Sequence, residues 1–235
     1  NLEKFGIDTT FVESVEGMSS GVAPIFVEQD SSNSILIVKG ANGSLGPADI
    51  DRAKSMILDS DMVVMQLEIS LETVYYTIEL CEKNNVPVLL NPAPGDPNLD
   101  IKKLVGIDFF APNETELATI TRMPVDSVEQ AEEAASFLLS KGLKRVIVTL
   151  GERGSLYATT DSQELIPAVS VDSVDSTGAG DAFIGCFAST FTKTESIAES
   201  LREANAYAAL STTKPGTQKS LVGAEEFEKF LKSLR

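Results

Sequence analysis

Met62-Val63-Val64-Met65-Gln66-Leu67-Glu68-Ile69-Ser70-Leu71 opens on an apolar run too short for a helix and closes on a hydroxyl residue placed to cap one. Behind Ser70, the residues Leu71, Val74, Ile78 and Cys81 recur at helical spacing, and Val86-Pro87-Val88-Leu89-Leu90 then repeats the short apolar run. Strand 62–67, helix and strand 86–90 make a βαβ unit. Its crossover requires the two strands to run parallel, with helices covering the sheet.

The same alternation continues in both directions. Downstream come a strand over 109–111, a helix after Asn113, and a helix opened by Ser127 with Gln130 three residues on, a capping-box pattern that closes at Gly142. A strand over 146–150, a hairpin over 154–166, helices over 178–191 and 197–210, and a last helix from Ala224 follow. Upstream, 21–28 and 34–38 read as strands, and one helix after Pro47 carries Ile50, Ala53 and Ile57. The expected fold is α/β, a mostly parallel central sheet with helices on both faces. No internal repeat or linker interrupts it, so residues 1–235 are expected to form a single domain.

Composition narrows the function. At 235 residues and 43% hydrophobic content, the chain can bury one large core. A formal charge of −16 repels nucleic acid and anionic membranes, so neither is an expected partner. Cys81 and Cys186 lie in apolar helical patterns without metal or redox spacing and read as buried thiols, which suits a reducing, cytoplasmic setting. No apolar run approaches the length of a membrane span. The chain begins at Asn1 rather than at methionine, and the expectation is that its beginning is missing.

In a parallel sheet, ligands bind at the carboxyl ends of the strands. That rule collects Glu68, the Asn91-Pro92-Ala93-Pro94-Gly95 loop, Asn113-Glu114-Thr115-Glu116 and Gly151-Glu152-Arg153-Gly154 on one rim. Asp175-Ser176-Thr177-Gly178-Ala179-Gly180-Asp181-Ala182-Phe183 joins them. Its small residues allow backbone N–H groups to approach an anion at a helix start, and Asp181 stands where a base would be needed. The chain has no histidine, no Walker A sequence and no third glycine for a dinucleotide fingerprint. What remains is a carboxylate beside an anion cradle, which fits phosphoryl transfer to a hydroxyl.

The Asp175-to-Phe183 stretch resembles the C-terminal signature of the PfkB, or ribokinase-like, carbohydrate kinases. Met65-Gln66-Leu67-Glu68, Asn91-Pro92-Ala93-Pro94, Pro112-Asn113-Glu114-Thr115-Glu116, Thr149-Leu150-Gly151-Glu152-Arg153-Gly154 and Lys214-Pro215-Gly216-Thr217-Gln218-Lys219-Ser220 resemble other segments of that family, in its order, over essentially the whole chain. The resemblance implies ATP-dependent phosphorylation of D-ribose to ribose 5-phosphate. Another sugar or nucleoside as acceptor, or a shortened non-catalytic nucleotide-binding protein, are the alternatives.

Under that resemblance, Asp181 is the general base and also contacts the sugar, and the backbone of Gly178, Ala179, Gly180 and Asp181 forms the anion hole. Glu68 holds sugar hydroxyls. Asn113, Thr149, Leu150, Gly151, Glu152, Arg153, Gly154, Gly180, Asp181 and Asn205 line the nucleotide, although Asn205 by itself would read as an ordinary exposed helical residue. Glu116 helps place Mg²⁺ through water. Asp175, Thr177, Ser211, Lys214, Gly216 and Ser220 surround a monovalent cation, K⁺, mostly through carbonyls; by itself the 214–220 stretch reads only as a turn.

Two departures are small: Ser176 replaces a more usual threonine, and Val222 stands near a common proline. A larger one is that nothing matches the family's N-terminal sugar-gripping aspartate and Gly-Gly segment. The expectation is therefore an N-terminally truncated domain in which about 15–40 holds the remnant of a β lid, the element through which ribokinase-like proteins form homodimers.

Overall fold

The computed structural model describes residues 2–27, 33–35 and 37–234. Two short strands, β1 (Ile25–Val27) and β2 (Asn33–Ile35), pair antiparallel, and a bridge from Val22 to Val38 continues the ladder at its base. Glu28 of the first expected strand, Leu36 of the second, and residues 29–32 of the expected lid remnant lie outside the described residues.

The single helix expected after Pro47 is two, α1 (Pro47–Arg52) and α2 (Lys54–Leu58). A turn at Ala53 (φ −88°, ψ 3°) separates them. From there the alternation runs as read: β3 (Val63–Met65), α3 (Leu71–Asn84), β4 (Val88–Leu90), β5 (Phe109–Phe110), α4 (Glu114–Thr121), α5 (Val128–Ser140) and β6 (Val146–Thr149). Then follow β7 (Ser155–Ala158), β8 (Gln163–Ile166), α6 (Ala179–Thr194), α7 (Ile197–Ser211), α8 (Thr217–Ser220) and α9 (Ala224–Ser233). The one-turn α8 replaces an expected turn.

The main sheet has the order β3-β4-β5-β6-β7-β8. Its first three pairings are parallel and its last two antiparallel, as the βα units and the hairpin require. Strand alternation sends residues to two cores. Val88, Leu90, Phe110, Val146, Val148 and Leu156 face α3, α4 and α5, which bring Val74, Ile78, Leu117 and Leu138. Leu89, Phe109, Ile147 and Ile166 face α6 and α7, which bring Phe183, Phe187 and Leu201. Phe109 meets Phe187 and Phe191 edge-on at 5.1 and 4.9 Å. Each such fully buried side chain stabilises the fold by about 1.5–3 kcal/mol.

Helix starts follow the sequence closely. The Ser70 hydroxyl accepts from the Thr73 N–H (3.1 Å), and Ser127 accepts from Gln130 (3.3 Å). The expected capping box at Ser127 is displaced by one residue, because the Gln130 side chain accepts from the Asp126 N–H instead (2.7 Å). Cys81 is buried as read. Cys186, on α6, is only half-buried, since that turn of the helix lies beside the partly open Thr190 and Glu203 of the α6–α7 seam.

Candidate active site

The amino end of α6 is shaped by Gly178, which caps the helix in the left-handed region at φ 83°. The turn is strapped down by Asp175. One of its carboxylate oxygens accepts from the Thr177 N–H (3.0 Å), the other from the Gly216 N–H across the chain (2.8 Å). The Gly216 bond, followed by those from Thr177, holds the Asp175 carboxyl down at about 2. The N–H groups of Val174 and Asp175 both donate to the Thr212 carbonyl at the end of α7 (2.7 and 3.0 Å). Residues 174–178 and 212–217 are thus one fixed assembly.

Within the cradle, the Ala179 N–H turns back to the Ser176 carbonyl (3.1 Å) and that of Ala182 to Gly178 (2.9 Å). The N–H groups of Gly178, Gly180 and Asp181 donate to no described residue. They fall at the positive end of a 16-residue helix, where an anion is favoured. The Asp181 carboxylate also makes no hydrogen bond or ion pair with a described residue. It is open to solvent, yet enough protein surrounds it that desolvation raises its carboxyl above the ordinary value.

A second carboxylate stands near it. Asn113 caps α4 by accepting from the Glu116 N–H (2.8 Å), and the Glu116 carboxylate accepts in return from the Asn113 N–H and side-chain amide (both 2.9 Å). Glu116 is 8% exposed. Burial raises its carboxyl, the charge of Asp181 adds to the rise, and the Asn113 bonds offset part of it. The start of α4 thus lies within electrostatic reach of Asp181. The Thr149 N–H donates to the Pro112 carbonyl (3.0 Å), which sets the end of β6 beside Asn113.

Residues 150–154 form a tight turn closed by Leu150 N–H to the Gly154 carbonyl (2.8 Å) and Gly154 N–H to the Gly151 carbonyl (3.0 Å). Gly151, at φ 56°, has open space around it, and Glu152 is exposed. The Leu150 side chain lies in the core at 1% exposure, so only its main chain faces the rim. Arg153 does not reach over the rim. Its guanidinium pairs with Glu114 and donates to the Asp126 carbonyl (3.3 Å), tying the turn to α4 and to the loop before α5. Gly154 is a packing glycine, since a Cβ there would stand 2.1 Å from the Ile166 carbonyl oxygen.

Asn205 is not the exposed helical residue its sequence setting suggests. It is 6% exposed, and its amide donates to the Ile166 and Pro167 carbonyls (3.1 and 3.4 Å). Ser211 and Ser220 are buried, and their hydroxyls donate to the Ala208 and Thr217 carbonyls (2.8 and 2.7 Å). The Lys214 ammonium pairs with Glu226 (2.7 Å), leaving its main chain to the loop.

On the far side of the rim, Glu68 follows β3, exposed and without a hydrogen bond or ion pair to a described residue. The Leu67 N–H donates to the Ala93 carbonyl (2.9 Å), and the Asn91 side chain donates to the Ala111 carbonyl (2.8 Å), so the 91–95 loop joins two strand ends. Gly95 carries that loop onto α4, where a Cβ would lie 3.1 Å from the Glu116 Cα. Sequence reasoning passed over Lys39, which donates to the Leu67 and Ile69 carbonyls (3.1 and 2.8 Å). An isolated lysine whose partners are main-chain carbonyls leaves no pattern to read.

A fold of this kind, with an anion cradle and two carboxylates on its carboxyl rim, defines a phosphotransferase. The family model described as pfkB family carbohydrate kinase matches residues 1–223, and the chain belongs to that family. It is a kinase acting on a sugar hydroxyl. It is 50% identical to a deoxyribokinase of Salmonella typhi over 231 residues, 98% of this chain and 76% of the relative. Identity to a Haemophilus influenzae ribokinase is 37%, covering 96% of this chain and 74% of the relative. An Arabidopsis thaliana ribokinase solved with ribose and ATP superposes with a TM-score of 0.83 at 31% identity, covering 92% of this chain and 70% of that one. Among the described residues, no helix is long and apolar enough to cross a membrane.

Proposed function

We propose that this site transfers the γ-phosphoryl group of ATP to the 5-hydroxyl of a pentose, either D-ribose or its 2-deoxy form. The observation that carries the reading is the meeting of Asp181 with the N–H donors of Gly178, Gly180 and Asp181, which have no partner among the described residues, at one helix start. Asp181 accepts the proton of the attacking hydroxyl. The cradle N–H groups stabilise charge on the transferring group, and losing one such donor typically costs about 10²–10³ in rate. A loose transition state asks little of the base until late, so a carboxylate suffices.

The other residues keep their expected parts in this reading. Glu68 holds sugar hydroxyls, and Asn113, Thr149 and the 150–154 turn border the nucleotide, with Arg153 and Asn205 acting through the backbone they hold. The Glu116 and Asp181 carboxylates, within electrostatic reach of each other, would help hold a hydrated Mg²⁺, which would neutralise phosphate charge. The strapped 174–178 and 212–217 loops fit a K⁺ ion coordinated by carbonyls. A homodimer through the β1–β2 hairpin and a cytoplasmic setting complete the proposal.

The higher identity to a deoxyribokinase than to ribokinases favours the 2-deoxy sugar. Coupled ADP release with ribose, 2-deoxyribose, fructose and adenosine tests the reading. Turnover with either pentose is expected. Preference for fructose or adenosine would overturn the substrate class, and unchanged activity after replacing K⁺ by a non-binding cation would remove the cation from the proposal.

A further inference from the structure

Lys39 stands between β2 and α1, and its backbone is fixed from several sides. Val22 and Val38 exchange both main-chain hydrogen bonds (3.0 and 2.9 Å). Gly40, at φ 52°, lies so near the irregular 18–20 segment that a Cβ would sit 2.5 Å from the Ser19 carbonyl oxygen, and the Ala41 N–H donates to that same carbonyl (2.9 Å). Further on, the fully buried Thr73 hydroxyl at the start of α3 donates to the Leu45 carbonyl (2.7 Å).

From this base the Lys39 side chain crosses to the β3–α3 turn. Its ammonium donates to Leu67 O (3.1 Å) and Ile69 O (2.8 Å), the two carbonyls on either side of Glu68. Hydrogen bonds from a charged donor are roughly twice as strong as neutral ones. With the Leu67 N–H bonded to Ala93, the turn is gripped at both ends while the Glu68 carboxylate has no partner among the described residues.

We infer that Lys39 is a positioning residue for the kinase reaction: it ties the base of the β1–β2 hairpin to the turn that presents Glu68, so the hairpin and the sugar-facing carboxylate move as one. The inference rests on Glu68 being a sugar contact, and the test separates the two.

In the protein carrying Lys39→Met, which keeps the aliphatic stem, hydrogen exchange of peptides covering 66–70 should quicken about tenfold. The KM for the pentose should rise about five- to tenfold, with the KM for ATP unchanged and kcat within about twofold. Lys39→Arg should restore both. Unchanged exchange in Lys39→Met overturns the inference, and so does faster exchange with an unchanged pentose KM. Glu68→Gln is measured alongside. If that variant leaves the pentose KM unaltered, Glu68 loses its sugar role, and the exchange measurement alone then decides whether Lys39 holds the turn.

Discussion

Gly154→Ala tests the packing beneath the 150–154 turn. Gly154 adopts φ 100° and ψ −134°, a region essentially reserved for glycine, where a side chain costs about 1–3 kcal/mol. A methyl group there would also meet main chain: Ile166 O at 2.1 Å, Ala168 N at 2.6 Å and Pro167 C at 2.7 Å. None of these can swing away as a flexible side chain would, and such overpacking adds about 1–3 kcal/mol. The sum is about 2–6 kcal/mol. At about 2–4 °C per kcal/mol for a chain of this size, the melting temperature should fall by about 4–24 °C. Because Ile166 and Pro167 are also the acceptors of Asn205, the displaced strand should weaken nucleotide binding as well. Gly151→Ala is the control: at φ 56°, with nothing within 4 Å, it bears only the left-handed strain of about 1–2 kcal/mol. Scanning calorimetry of both variants and titration with ATP decide the matter. A Gly154→Ala protein melting no lower than Gly151→Ala would refute the reasoning.

Asp181→Asn should keep nucleotide affinity and lose about 10²–10⁴ in kcat, read by titration and by ADP release. Since burial raises the Asp181 carboxyl, the acid limb of kcat/KM should lie above the 3.8 of a free aspartate, and a limb at or below it would remove Asp181 as the base. Asp175 behaves oppositely: its folded value is depressed, so its carboxylate stabilises the protein above the unfolded value and that contribution is lost as pH falls from 3.8 toward about 2. The stability advantage of wild type over Asp175→Asn, followed by urea unfolding, should shrink across that window. Asn205→Ala leaves two carbonyls without their amide donor and should cost about 1–3 kcal/mol in the same assay.

Much of the site was legible because its parts are local. Ser70, Asn113 and Ser127 cap helices within three residues of themselves, so spacing alone exposes them. The residues 178–180 announce a close backbone approach by their lack of bulk. Arg153 and Asn205 were legible only as residues near a ligand. In the fold they also hold groups 27 to 39 residues away in the chain, where no periodicity reaches.

Local chemistry in the sequence by itself determined the βα alternation, the hairpin and the small-residue helix start that carries Asp181, since each depends on residue type and short spacing. Only the tertiary structure decided which carboxylate lies within electrostatic reach of Asp181, that Asp175 is held by Gly216, that Gly154 is closed off by Ile166 while Gly151 is open, and that Lys39 grips the turn around Glu68. All join groups distant in sequence, and all but the first involve the main chain. Main-chain carbonyls and N–H groups are alike at every residue, so the partners in such contacts become known only when the fold brings them within reach.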